Sequence, residues 1–380
     1  MKKVLSILFS AVLAVSMLAG CGGNNATTSN DSGNSGQGSS KNIQVGIVLP
    51  TKDEPRWLQD QKQFESLLQD AGFTSQVLFS QGSSSTEKTN VESLIAKDIK
   101  VLIICAHDAA AAGAAVEEAK AKGITVICYD RLITDTDAVD YYVTFDSVAV
   151  GEAQGQYLID NKPDGTGIPL YLYAGAATDN NAFIFFEGAW NVLQPYIADG
   201  TFVIANSTEA EALKDKAELT YDEKSSILGQ VTTDWDFNVA KSKAEAHLTA
   251  NGDDLKGDVS ILAPNDGTAR AIADAFSADS AISSYTITGQ DAEVASVVYI
   301  KDGKQSMTVF KNTNTLAYDS VQMATAILNG SDVSTDTTYN NGNKDVPSKQ
   351  TPITVVTKDN FQSVLIDSGY ISQADFDAAQ

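Results

Sequence analysis

From residue 42 onward, short unbroken apolar runs alternate with stretches whose apolar positions recur every three to four residues. The runs at 43–49, 75–79, 101–105, 124–128 and 141–145, then at 168–174, 258–262, 284–288 and 306–309, have the length and β-branched content of strands. Between them, 55–71 reads as a helix with Phe64, Leu67, Leu68 and Ala71 on one face and Gly72 at its end. The Ala-rich stretch 109–122 before Gly123 reads as another. Continuous apolar strands separated by helices indicate parallel sheets covered on both faces. The first set ends at Phe145, and Asp146 is placed to cap a helix leading into a second set. The expected fold class is therefore α/β, as two doubly wound parallel-sheet lobes. A late β-rich stretch, 353–356 behind Pro352, reads as a return between the lobes and not as a third domain.

Composition narrows the partners. The chain of 380 residues carries 26 Lys+Arg against 49 Asp+Glu, a net charge of −23, which excludes nucleic acid because phosphate binding needs a basic surface. The N-terminus adds a destination. Lys2 and Lys3 precede an apolar run at 4–18 that is short for a spanning helix, and the segment closes on Leu18-Ala19-Gly20-Cys21. Residues 1–20 read as a secretory signal, and its end is similar to the lipobox of bacterial lipoproteins, with Cys21 as lipid acceptor; the alternative is an ordinary signal peptide with a chance cysteine. Residues 21–42, mostly Gly, Asn, Ser and Thr, form the lipidated cysteine and a flexible linker. Such a tether reaches about 25 Å, so the expected location is extracytoplasmic, lipid-anchored to the cell membrane.

In open α/β sheets ligands sit beyond the carboxyl ends of the strands. There this chain places 50–57 (Pro-Thr-Lys-Asp-Glu-Pro-Arg-Trp), His107-Asp108, Asp130-Arg131, Asp179-Asn180-Asn181, Asn265-Asp266, Gln290-Asp291 and Lys311-Asn312. Only three arginines occur, Arg56, Arg131 and Arg270, and two of them fall in these loops. A planar fork suits vicinal hydroxyls, where a plain surface charge could equally be lysine; the alternative is that Arg131 clamps a loop by pairing with a nearby acid. Sugars suit this inventory, since a pyranose has apolar faces and a rim of hydroxyls. Trp57 and Trp235 are candidate platforms beside Phe183 and Phe185, although core is the plainer role for Phe185 and Phe186.

Other chemistry fits less well. Asp130, Asp179 or Asp291 could nominally serve a glycosidase, but cations and amides beside each would keep it ionised, so no enzyme and no catalytic residue is expected. Cys105 and Cys128 read as buried free thiols, and His107 and His247 form no metal-ligand spacing with them. The acidic turn 135–140 lacks the spaced glycine and terminal Glu of a calcium loop. Neither a metal nor a cofactor is expected.

With the segments 129–133 (Tyr-Asp-Arg-Leu-Ile), 178–182 (Thr-Asp-Asn-Asn-Ala), 264–267 (Pro-Asn-Asp-Gly), 288–293 (Thr-Gly-Gln-Asp-Ala-Glu), 310–313 (Phe-Lys-Asn-Thr) and 339–348 added to 50–57, the chain resembles the type I periplasmic sugar-binding proteins of ABC importers over 43–380. Within that group it is most similar to the xylose-binding and multiple-monosaccharide-binding branch. The resemblance implies ligand contacts at Arg56, Asp130, Arg131, Asn265, Asp291 and Lys311, with Trp57, Asp179, Asn181 and Trp235 beside them and Lys52 as a further candidate. It implies a three-crossing hinge near Asp146, Lys311 and Thr351, an N-terminal lobe of 43–146 plus 312–351, and a C-terminal lobe of 147–311 plus 352–380. The implied partners are a monosaccharide of xylose, glucose, galactose or arabinose type, an ABC permease and, through the lipid, the membrane, with the chain a monomer. A sugar sensor feeding a signalling receptor, or a nucleoside or furanose ligand, stays open. The segment 206–233 is longer and more acidic than the family pattern.

Overall fold

The computed structural model describes residues 42–380, so the signal segment and Cys21 lie outside the described residues. The first sheet is laid down by a run of strand–helix units: β1 (Val45–Leu49), α1 (Pro55–Asp70), β2 (Ser75–Phe79), α2 (Ser84–Ile95), β3 (Val101–Ile104), α3 (Gly113–Ala121), β4 (Thr125–Tyr129) and β5 (Tyr141–Phe145). Then α4 (Ser147–Asp160), β6 (Ile168–Leu172), α5 (Asn180–Ala198), β7 (Phe202–Ile204), α6 (Thr208–Ala212), α7 (Tyr221–Val231), α8 (Phe237–Ala250), β8 (Gly257–Leu262), α9 (Asp266–Ala278), β9 (Ile282–Ile287) and α10 (Val294–Lys301) build the second. Last come β10 (Met307–Lys311), α11 (Thr313–Asn329), β11 (Thr337–Asn340), β12 (Asp345–Thr351) and β13 (Ile353–Thr357).

Seven strands form one sheet in the order β11-β12-β5-β4-β3-β1-β2, parallel except at the β11–β12 pair. Four parallel strands, β7-β6-β8-β9, form the other, and β10 pairs antiparallel with β13 alongside. Alternate residues of the central strands feed apolar clusters on both faces, which is why these strands read as unbroken apolar runs: Val45, Ile47 and Leu49 enter one cluster, Val48 the opposite one. The chain is a two-lobed α/β protein, each lobe a helix-covered sheet.

It passes between the sheets at Asp146, at Lys311–Asn312 and at Pro352. These passages lie together, since Asp146 N donates to Thr351 O at 3.3 Å and Lys311 stands opposite Ile353. The Asp146 side chain accepts from Ala149 N and caps α4 as expected.

Three strands escaped the sequence reading. β7 has only three residues, while β11 (Thr-Thr-Tyr-Asn) and β12 (Asp-Val-Pro-Ser-Lys-Gln-Thr) are polar strands at the sheet margin. α3 begins at Gly113, four residues later than expected, because 108–112 is taken up by turns beneath the Asp108 carboxylate, which accepts from Ala110 N and Ala111 N.

Helices α4 and α5 approach through glycine. A Cβ at Gly151 would overlap Phe185 O and lie 2.7 Å from Ala189 N, and one at Gly188 would overlap Val148 O. Backbone cannot yield as a flexible side chain does. Gly151→Ala is therefore expected to cost about 2–3 kcal/mol in a melting experiment. Gly229→Ala, in α7 with nothing within 4 Å of the added methyl, should raise stability by about 1 kcal/mol.

Candidate functional site

Each expected residue is delivered by a strand end or a helix start. Pro55 occupies the first helical position of α1, where its missing N–H costs nothing, and so fixes Arg56 and Trp57 in the first turn. Asp130 follows β4 directly with φ +64°, and Asp291 beyond β9 has φ +98°, backbone settings that side-chain-bearing residues rarely adopt. Asp179 caps α5 by accepting from Asn181 N at 2.9 Å, and Asn265 caps α9 by accepting from Thr268 N at 3.2 Å. Lys311 ends β10.

The two lobes bring these groups into one cluster. Arg56 donates from Nη2 to Asp130 Oδ2, with Asp291 Oδ1 3.5 Å from its Nη1 and Asp60 Oδ2 3.7 Å from its Nε. Lys311 Nζ is 2.9 Å from Asp291 Oδ1. Arg131 Nε pairs with Asp179 Oδ2 at 2.9 Å, and Trp235 Nε1 donates to the same oxygen at 3.2 Å. Asn181 Nδ2 donates to Asp130 O at 2.8 Å. All ten residues read as ligand contacts from the sequence line one cavity between the lobes, with Glu54, Phe185 and Gln290.

Burial and ion pairing compete over these carboxylates. Burial works against the Asp130 carboxylate, but Arg56, Lys311 and Arg131 overcome it and hold Asp130 below the usual carboxylate range. At Asp179 burial prevails over Arg131 and the group is raised. Asp60, fully buried beneath Arg56 and accepting from Tyr129 OH at 2.9 Å, is pushed up to about 7 by burial.

Several roles differ from the sequence reading. Trp57 is 1% exposed and its ring lies under two guanidiniums, Arg56 at 4.4 Å and Arg131 at 5.4 Å, so it carries the arginines rather than offering an open face. Phe185 is core, yet it also lines the cavity, with Lys311 Nζ 5.5 Å from its ring centre. Phe183 turns away and stacks on Tyr221 at 4.8 Å. Lys52 sits over Phe79 at 4.8 Å and does not line the cavity. Among residues not chosen from sequence, Glu54 and Gln290 are immediate loop neighbours of those chosen, whereas Asp60 shows only its one-turn spacing from Arg56. The extra segment 206–233 folds as α6 and α7, α7 against α5, and still delivers Trp235. Gly175 is required there, because a Cβ on it would overlap the Trp235 ring.

The shared cavity has a volume of about 20 Å³, room for roughly one water. Cavities of about 530 and 500 Å³ open on either side of it between the lobes. The larger spaces are not the centre of the chemistry: the cations and carboxylates converge on the small one. A sugar-sized ligand enters there only if the lobes part and the ion pairs exchange partners.

One backbone bond spans the cleft, Ala109 N to Thr178 O at 2.9 Å. Its loop is held from below by Glu87, which accepts from His107 N at 2.8 Å and Ser80 Oγ at 3.1 Å and is pushed up to about 7 by burial. Because the folded pKa exceeds the unfolded value, the folded chain holds the extra proton, and Glu87 costs stability as pH rises from about 4.5 to 7. Glu87→Gln keeps an acceptor and removes the charge. Its stability relative to the parent should rise by about 3 kcal/mol between pH 4.5 and 8, read from melting curves at both ends. A difference that stays constant with pH would assign Glu87 an ordinary pKa.

Comparison with known proteins follows the same lines. The Periplasmic binding protein domain model matches residues 45–332. The multiple sugar-binding periplasmic protein SbpA of Azospirillum brasilense is 34% identical over 96% of this chain and 97% of its own length. The D-xylose-binding periplasmic protein of Escherichia coli is 32% identical over 88% of this chain and 93% of its own. Among solved structures, a carbohydrate transporter solute-binding protein from Chloroflexus aurantiacus in complex with D-glucose is 64% identical with a TM-score of 0.86, covering 88% of this chain and 98% of that one. An ABC transporter solute-binding protein from Clostridium phytofermentans with bound β-D-glucose is 33% identical with a TM-score of 0.77, covering 87% and 99%. Fold, strand-end chemistry and these similarities agree: the chain belongs to the periplasmic binding protein family.

Proposed function

We propose that the chain captures a monosaccharide between its lobes outside the cytoplasm and presents it to an ABC permease. The observation that carries this reading is the convergence of Arg56, Asp130, Arg131, Asp179, Asp291 and Lys311, from both lobes, on one buried cavity. Charged, fork-shaped donors and carboxylate acceptors match a rim of hydroxyls that each donate and accept. The glucose held by the Chloroflexus aurantiacus and Clostridium phytofermentans proteins supports an aldohexose, and the Escherichia coli relative keeps xylose beside it.

In this reading Arg56, Asp130, Arg131, Asp291 and Lys311 contact the sugar directly with Asn181 and Asn265, while Trp57 supports the arginines and Trp235 closes the far side with Asp179. The lobes are 43–146 plus 312–351 and 147–311 plus 352–380, hinged at the three passages. The ion pairs across the cleft exchange one partner each for sugar hydroxyls, so binding and closure are one event. The chain acts as a monomer, tethered by a lipid on Cys21. Membrane release of Cys21→Ser, with sugar affinity unchanged, tests the tether.

Titration calorimetry of the full chain with D-glucose, D-xylose, D-galactose and L-arabinose tests the function. Saturable binding of at least one is expected, and chromatography should return the sugar unchanged. Absence of heat with all four, or turnover of any, overturns the reading.

A further inference from the structure

The cavity of about 530 Å³ beside the monosaccharide site is within the size range of ligand pockets and shares four wall residues with that site: Glu54, Arg131, Trp235 and Asn265. The opposite cavity, of about 500 Å³, shares none. A ligand seated among the charged residues therefore has one continuous way to extend.

That outer chamber is built, not merely left over. Its wall is the loop holding Asp234 at φ +53° and Trp235 at φ +59°, two successive left-handed settings without glycine. For a residue as bulky as tryptophan this is an outlier, and such strain persists only where the surroundings enforce it. Gly175 beneath the ring and the bond from Nε1 to Asp179 do so. Two positions after Trp235 stands Phe237, an apolar ring 42% exposed at the start of α8 and facing the chamber. Across from it Arg270, paired with Glu293 at 2.7 Å and donating to Ser296 Oγ at 2.6 Å, lines the same space. A fixed aromatic wall opposite an arginine–carboxylate pair repeats the chemistry of the inner site.

We infer that the chain also accepts glycosides, holding one pyranose in the inner site and a second sugar unit in the outer chamber against Trp235 and Phe237. This rests on the monosaccharide reading of the inner site. The substrate class is then a short oligosaccharide with one terminal pyranose recognised, and Phe237 is a specificity residue for the second unit.

Calorimetry of the full chain with D-glucose, the two methyl glucosides, cellobiose and maltose tests it. At least one disaccharide is expected to bind within about tenfold of glucose. Phe237→Ala should weaken that disaccharide about five- to tenfold and leave glucose within about twofold. Gly267→Phe fills the chamber from α9, where an added Cβ meets only Glu293 Oε1 at 3.8 Å, and should abolish disaccharide binding while glucose still binds. Glucose binding with both methyl glucosides and both disaccharides silent would overturn the chamber and leave the monosaccharide reading standing. Loss of every ligand in the parent chain would overturn both, and equal weakening of glucose and disaccharide by Phe237→Ala would remove Phe237 from the second-unit role.

Discussion

Arg56→Met is expected to abolish detectable sugar binding and to destabilise the chain by about 3–5 kcal/mol near pH 8, as when one partner of a buried ion pair is removed. The reason is the arrangement beneath it: Asp60, Asp130 and Asp291 all face this one guanidinium. Burial opposes the charge on Arg56 as well, yet the three carboxylates raise its pKa well above the ordinary value, so its charge is locked in. Without it, Lys311 is left to answer Asp291, and Asp60 and Asp130 confront each other in a low-dielectric interior. They respond by taking protons. Folded-state carboxylate pKa values therefore rise in the variant, so the lost stability should return partly as pH falls toward 5. Melting curves at pH 5 and pH 8 read this directly. A small loss, equal at both values, would show that Arg56 is not the counter-charge of the cluster.

The parts of the fold that were legible in the sequence are those where both faces of a strand are apolar. β1, β3 and β4 read as strands because every inward and outward position but Thr125, at the start of β4, is buried. β12 did not, because burial falls on Val346, Ser348 and Thr351 while Lys349 and Gln350 stay partly open, and Pro347 breaks the expected pattern. The structure accommodates that proline because the parallel ladder to β5 begins only at Ser348.

The candidate site was legible for a different reason. Open α/β sheets concentrate polar residues at strand ends, so scarce arginines there stand out against a lysine-rich background. What was not legible is the support under the site. Asp60 one turn after Arg56 reads as an ordinary helical pair, and only complete burial with Tyr129 makes it an anchor. Trp57 read as a platform because aromatic rings suit sugars, and its place beneath two guanidiniums follows from packing between α1 and the sheet. The wall residue Gly175 carries no sequence signal at all, since its need arises from Trp235, sixty positions later.

Arg131→Lys separates two roles for the residue that the geometry now states concretely. As a clamp, Arg131 ties the lobes through Asp179, and a lysine ammonium, without the Nε edge of the guanidinium, holds that pair less well and lowers the melting temperature in the absence of sugar. As a ligand contact, it presents a planar fork held above Trp57, 5.4 Å from the ring centre, and donating from Nη1 to Ala106 O at 3.3 Å, and no lysine reproduces that orientation. Asp179 engages Nε and Ala106 O engages Nη1, so the proposed bond to a sugar hydroxyl falls to Nη2. Hydrogen bonds from charged donors contribute about 1.5–3 kcal/mol, so Arg131→Lys should weaken sugar affinity roughly ten- to hundredfold. Calorimetry with the best monosaccharide, beside melting curves with and without it, distinguishes the roles. Affinity close to the parent, together with a lowered melting temperature in the absence of sugar, would make Arg131 a clamp and hand its share of the hydroxyl recognition to Arg56 and Lys311.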